Sequence, residues 1–227
     1  MPKSDAQPIN MKKVFRNNGL SIVFFILFLF SLIGQMVTGL KEHNKGMLEL
    51  GGTAKGMAEY ITSGHFLQST FENWESEFLQ MAMFLILTMM LYQKGSSESK
   101  DPDKKEEVDR DPNPRKKDAP WPVKRGGFVL AIYRHSLCYT FSFIFLISFF
   151  FHWRGSLKDY NEERILKHLA PETAMHYLSG SRFWFESFQN WQSEFLSILA
   201  MVVFSIFLRE QYSPQSKPVD APDSQTG

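Results

Sequence analysis

Four stretches of the chain carry no formal charge, and this limits the available folds more than any other feature. They cover 17–40, 78–93, 135–153 and 195–208. The sequence between them is strongly polar. The whole-chain averages of 44% apolar and 22% charged residues therefore mix two environments and do not describe a soluble globule. A bilayer core of about 30 Å takes about 20 apolar residues at a rise of about 1.5 Å each. Gly19 to Leu40 meets that length, and Ser136 to Trp153, rich in Phe, Ile and Leu, approaches it. The runs starting at Phe78 and Phe195 reach only about 24 and 21 Å.

Each short run follows the same word, Asn73-Trp74-Glu75-Ser76-Glu77-Phe78-Leu79 and Asn190-Trp191-Gln192-Ser193-Glu194-Phe195-Leu196. With Trp74 and Trp191 as interface anchors at the water–lipid boundary, where indoles prefer to lie, both runs recover roughly 28–30 Å. The expected spans are about 19–40, 74–93, 136–153 and 191–208, and the predicted fold class is an all-α membrane protein with four transmembrane helices. Lys12, Lys13 and Arg16 precede the first run, as basic residues precede a secretory signal core. That run is longer than a signal core, lacks a small-x-small cleavage site, and has an internal counterpart in the third run.

A shift of 117 residues aligns the two halves without gaps. Leu20, Phe24, Phe28, Leu29 and Ser31 fall on Leu137, Phe141, Phe145, Leu146 and Ser148. Lys41, Asn44, Tyr60 and Phe66 fall on Lys158, Asn161, Tyr177 and Phe183, and the Asn-Trp-x-Ser-Glu-Phe-Leu words coincide. Chance similarity between Phe-rich helices does not account for the polar matches. Each unit holds two spans, so both enter the membrane the same way round, as parallel repeats. The predicted organisation is a tail over 1–18, a first helical hairpin over 19–93, a linker over 94–127, a second hairpin over 128–210 and a tail over 211–227. Residues 1–10 precede the repeated sequence and read as an extension. The N-terminal tail, residues 94–135 and the segment after the fourth span carry 17 of the 25 Lys and Arg residues, which predicts that both termini are cytoplasmic.

The linker mixes both signs of charge with prolines and has almost no apolar residues, so composition predicts a disordered tether, and the C-terminal tail reads alike. The hairpin loops contain short helical patterns, Ala54 to Thr62 and Pro171 to Leu178, each closed by Ser-Gly. These predict short extracytoplasmic helices forming an outer cap. Ser69-Thr70-Phe71-Glu72 has the pattern of a capping box that would start the second spanning helix early.

Inside the repeated words, Asn73, Ser76 and Glu77 share one helical face, and Asn190, Ser193 and Glu194 do likewise. In an antiparallel hairpin Gln35 lies near the depth of Glu77, and the equivalent partner of Glu194 is His152. A carboxyl beside an amide or imidazole inside the membrane boundary makes a candidate proton or cation site. Acids in a first helical turn and Trp near an interface also serve as plain anchors. No pair of histidines has the spacing of a helical zinc site, no phosphate-cradling loop or serine elbow is present, and Cys138 has no partner. No catalytic residue, metal or cofactor is predicted, and a net charge of +1 argues against nucleic acid as partner. The expected partners are the lipid bilayer and a second copy or another membrane protein.

The repeated Asn-Trp-x-Ser-Glu-Phe-Leu words, each within a pair of apolar spans, resemble a family of small bacterial four-span membrane proteins classed as a domain of unknown function. The resemblance covers most of residues 12–212. It implies a bacterial plasma (inner) membrane setting, and names no substrate or site residue. Two functions are open at this stage: a non-enzymatic membrane protein acting through assembly or interaction, and a small proton- or cation-linked transporter or channel acting as an oligomer.

Overall fold

The computed structural model describes residues 11–227, and the expected N-terminal extension lies outside the described residues. Among these residues every regular element is helical. Four helices are long, α1 (Met11–Glu49), α3 (Gly64–Met90), α6 (Ser136–Leu166) and α8 (Ser181–Phe207), with one loop between α1 and α3 and another between α6 and α8. The short helices α2 (Met57–Tyr60) and α7 (Ala174–Ser179) lie in their loops, and α4 (Trp121–Arg125) and α5 (Gly127–Arg134) lead into α6. By length and composition α1, α6 and α8 are apolar enough to cross a membrane. At roughly 40 Å α3 is also long enough, but Asn73, Glu75, Glu77 and Gln80 dilute its apolar run.

The loops hold less irregular chain than expected, because α1 and α6 continue well past their apolar runs. Both then stop in the same way. Gly51 takes φ +78°, with Gly51 N–H donating to the Leu48 carbonyl and Gly52 N–H to that of Met47. At the other loop His168 takes φ +58°, with His168 N–H donating to Ile165 and Leu169 N–H to Arg164. Each is a helix stop in which one left-handed residue lets two backbone amides turn back to cover the last free carbonyls. Asn44 then clips its loop by accepting from Lys55 N–H at 2.8 Å and donating to the Lys55 carbonyl at 2.9 Å. Asn161 makes the same two bonds to Glu172, at 2.7 and 3.0 Å.

The start of α3 corrects the sequence expectation. The capping residue is Ser63, whose Oγ accepts from Phe66 N–H at 3.2 Å, so Ser69 to Glu72 lie inside the helix. The Ser-Gly pair that was expected to close the preceding helix opens α3 instead.

The closest packing is between α3 and α6, which lie on either side of the linker. A Cβ on Gly64 would stand 2.2 Å from the Asp159 backbone nitrogen, and one on Gly155 would stand 2.6 Å from that of Gln68. The two backbones meet at positions where only glycine fits. Stacked rings continue the contact, Phe71 on Phe151 at 4.9 Å and Phe78 on Phe141 at 6.1 Å between centroids. At the loop end Leu157, Tyr177 and Phe183 form a small core.

At the opposite end the linker and the C-terminal segment run as turns, with one 3-10 turn at Glu107–Asp109, and they are tied to each other. The Lys217 ammonium donates to the carbonyls of Gly95 at 2.6 Å and of Asp223 and Gln225 at 3.0 Å. Just beyond α3, Ser99 Oγ accepts from Gln93 N–H at 2.8 Å, and just beyond α8, Ser216 Oγ accepts from Glu210 N–H at 2.9 Å.

Two variants test these contacts. Gly155→Leu forces the α3–α6 backbones apart and is expected to cost about 3 kcal/mol, the upper end for overpacking, read as a lower melting temperature in detergent. His168→Gly relieves a left-handed histidine and is expected to raise the same midpoint, for a gain of roughly 1 kcal/mol.

Candidate functional site

Near the loop end a chain of ionisable side chains links three helices. Glu75 on α3 and His152 on α6 are both fully buried. The imidazole Nδ1 lies 2.6 Å from Glu75 Oε2, and the two share a hydrogen bond. The other oxygen of Glu75 accepts from Trp191 Nε1 on α8 at 3.0 Å. On the far side of the ring, His152 Nε2 is 3.6 Å from Glu186 Oε2, too long for a hydrogen bond and close enough for an ion pair when the imidazole is charged. Phe183 covers the ring at 4.8 Å between centroids.

Glu186 is held in turn. Its Oε2 accepts from Ser156 Oγ at 2.7 Å and its Oε1 from Arg182 Nε at 3.2 Å. Ser156 Oγ also pairs with the Tyr177 hydroxyl, whose pKa burial pushes up to about 12, so the phenol stays neutral. Asn190 Nδ2 donates to the Glu72 carboxylate and to the Glu186 carbonyl, the latter at 3.1 Å. Helix geometry explains the convergence. Glu186 and Asn190 are four residues apart on one face of α8, and His152 and Ser156 are four apart on α6.

The residues singled out from sequence have different positions from those expected. His152 is in the site, but its carboxylate partners are Glu75 and Glu186, and the expected pairing with Glu194 is corrected. Gln35 Nε2 donates to Ser69 Oγ and Thr70 Oγ1, both at 3.2 Å, instead of meeting Glu77. Glu77 stands two residues from Glu75 and so points to nearly the opposite side of α3, where it is exposed. Glu194 is half-buried, and the Gln80 side chain donates at 3.0 Å both to its backbone carbonyl and to Ser197 Oγ. Asn73, Ser76 and Ser193 bond carbonyls of their own helices, at Ser69, Asn73 and Asn190. Of the two interface anchors, Trp74 packs against Phe71 and Phe28, whereas Trp191 turns its N–H inward to Glu75.

Sequence reasoning missed Glu75, Glu186, Ser156 and Tyr177. A signal for them exists. At an offset of 117 residues Glu75 answers to Gln192, His152 to Gln35 and Glu186 to Ser69, so the ionisable members lie where the two halves of the sequence differ. The Gln35–Ser69 bond is the neutral counterpart of the His152–Glu186 contact.

The fold and this junction define the class as an all-helical protein, three of whose helices are long and apolar enough to cross a membrane, with a carboxylate–imidazole–carboxylate chain linking α3, α6 and α8. The chain belongs to the DUF6766 family, a domain of unknown function whose model matches residues 11–227. No curated protein and no solved structure matches the chain.

The coupling inside the junction is measurable. Glu75→Gln and His152→Gln each leave one buried charged partner unanswered and are each expected to cost about 3 kcal/mol. The double variant installs the amide pair found at Gln192 and Gln35, and is expected to fall short of the summed cost by about 1–3 kcal/mol in a thermal-unfolding cycle.

Proposed function

We propose that this chain is a non-enzymatic, four-span membrane protein of a bacterial plasma membrane, with both termini cytoplasmic, that works by assembling helices within the bilayer. Its two hairpins are parallel repeats. The observation that carries this reading is the use made of the buried polar groups. Glu75 directs both oxygens to residues of the other hairpin, on α6 and α8, so the most costly side chains are spent on joining one hairpin to the other. The matched helix stops at Gly51 and His168 and the matched clips at Asn44 and Asn161 support the repeat. The Lys and Arg bias supports the orientation, and the resemblance carried by the Asn-Trp-x-Ser-Glu-Phe-Leu words supports the bacterial setting.

A second reading, proton- or cation-linked transport by an oligomer, draws on His152 standing between two carboxylates. An imidazole in that place takes a proton at one nitrogen and gives one up at the other. Glu77 and Glu194, with no hydrogen bond to their carboxylates among the described residues, belong to this reading as the groups open to exchange.

Proteoliposomes under a pH gradient separate the two. The assembly reading predicts proton and cation flux no higher than in protein-free vesicles, no effect of the double variant Glu77→Gln/Glu194→Gln, and a lowered melting midpoint of the particle in Glu75→Gln. Flux that the double variant abolishes while the particle stays intact would establish transport in its place.

A further inference from the structure

The contact between α3 and α6 has a second half that one chain leaves unused. At the offset of 117 residues α3 corresponds to α8 and α6 to α1, so the α3–α6 pairing has a counterpart between α8 and α1. Within the chain that counterpart is not made, and none of the apolar stretch of α1 or of α8 is buried. The matching side chains are nevertheless present. Phe78 on Phe141 answers to Phe195 and Phe24, which are 42% and 64% exposed. Glu75 with His152 answers to Gln192 and Gln35, of which Gln192 is exposed on α8 and Gln35 already holds Ser69. The glycine crossing answers to Ser181 and Thr38, small residues that allow a close but wider approach.

We infer that α8 of one copy receives α1 of a second copy of this chain, through a neutral junction of Gln192, Gln35 and Ser69 that repeats the charged junction of Glu75, His152 and Glu186. The inference rests on the repeat and membrane reading above, and it names the partner. Lipid alone covers Phe24 and Phe195 equally well, but it does not reproduce at Gln192 the helix contact that the repeat makes at Glu75. A second α1 does, through Gln35. The contact joins different surfaces, so it propagates from copy to copy until rotation closes a ring; two copies close it by exchanging their first helices.

The experiment uses the full chain in nanodiscs with Cys138→Ser as background. Copies carrying Phe24→Cys and one tag are mixed in detergent with copies carrying Phe195→Cys and another tag, reconstituted, and treated with a short bis-maleimide. A doubly tagged, cross-linked dimer in the mixture, several-fold above either variant alone, is the expected result. Gln192→Lys in the Phe195→Cys copy is expected to lower that yield by at least about tenfold, because an unanswered buried charge costs more than the roughly 1.4 kcal/mol that a factor of ten represents. A separate preparation carries Phe24→Cys and Phe195→Cys in one chain, and two results overturn the inference: cross-linking confined to single chains of that preparation, which means α1 closes on its own α8, and no cross-link in either preparation. Failure of the underlying reading looks different, since the protein would then leave the membrane fraction in a carbonate wash before any cross-linking is attempted.

Discussion

A carboxylate withdrawn from water has to be answered where it stands, and Glu75 is the side chain around which the described helices are arranged. Its oxygens need hydrogen-bond partners from neighbours close enough to exclude solvent. His152 and Trp191 supply them from α6 and α8. Those partners reach it because α3 and α6 touch backbone to backbone at Gly64 and Gly155, which sets the distance between the helices along their common length. The Glu186, Ser156 and Tyr177 bonds then fix the far side of the imidazole, and the outer core of Leu157, Tyr177 and Phe183 closes over it. Polar satisfaction and apolar packing converge on one place.

The bonds recurring 117 residues apart divide into two kinds. The helix stops after α1 and α6, the asparagine clips and the serine turns beyond α3 and α8 recur almost unchanged and involve backbone geometry. The side-chain junctions do not: one carries Glu, His and Glu, and the other carries Gln, Gln and Ser. Backbone bonds thus recur at this offset where the side-chain junctions differ.

Much of the scaffold was legible in the sequence. Charge-free runs located the long helices, and the repeated words set the register in which every matched bond is found. The site was less legible for physical reasons. Glu75 occupies the variable place of the repeated word, and its role depends on α3 packing against α6 beyond the linker, a choice that periodicity within one helix does not encode. Glu77 and Glu194 stood out because they are shared by both words, yet two residues along a helix is just over half a turn, so Glu77 faces away from Glu75, and the residue that answers to Glu75 beside Glu194 is the uncharged Gln192. His168 gave no helix-stop signal because histidine seldom takes the left-handed conformation that glycine takes at Gly51. The Ser-x-x-Ser-Lys strings at Ser96 to Lys100 and Ser213 to Lys217 lie in segments judged by composition, which is blind to order.

The uneven charge of the two junctions bears on how the helices sort during folding. Two similar first helices, α1 and α6, compete for the same side of α3, and the apolar residues they offer are nearly alike. If α1 took that place, Glu75 would face the amide of Gln35 in place of the His152 imidazole. If α6 strayed to α8, His152 would face Gln192 and lose its carboxylate. Both mispairings undo the acid–imidazole contact away from water, so that single pair picks the neighbour that bulk hydrophobicity leaves undecided.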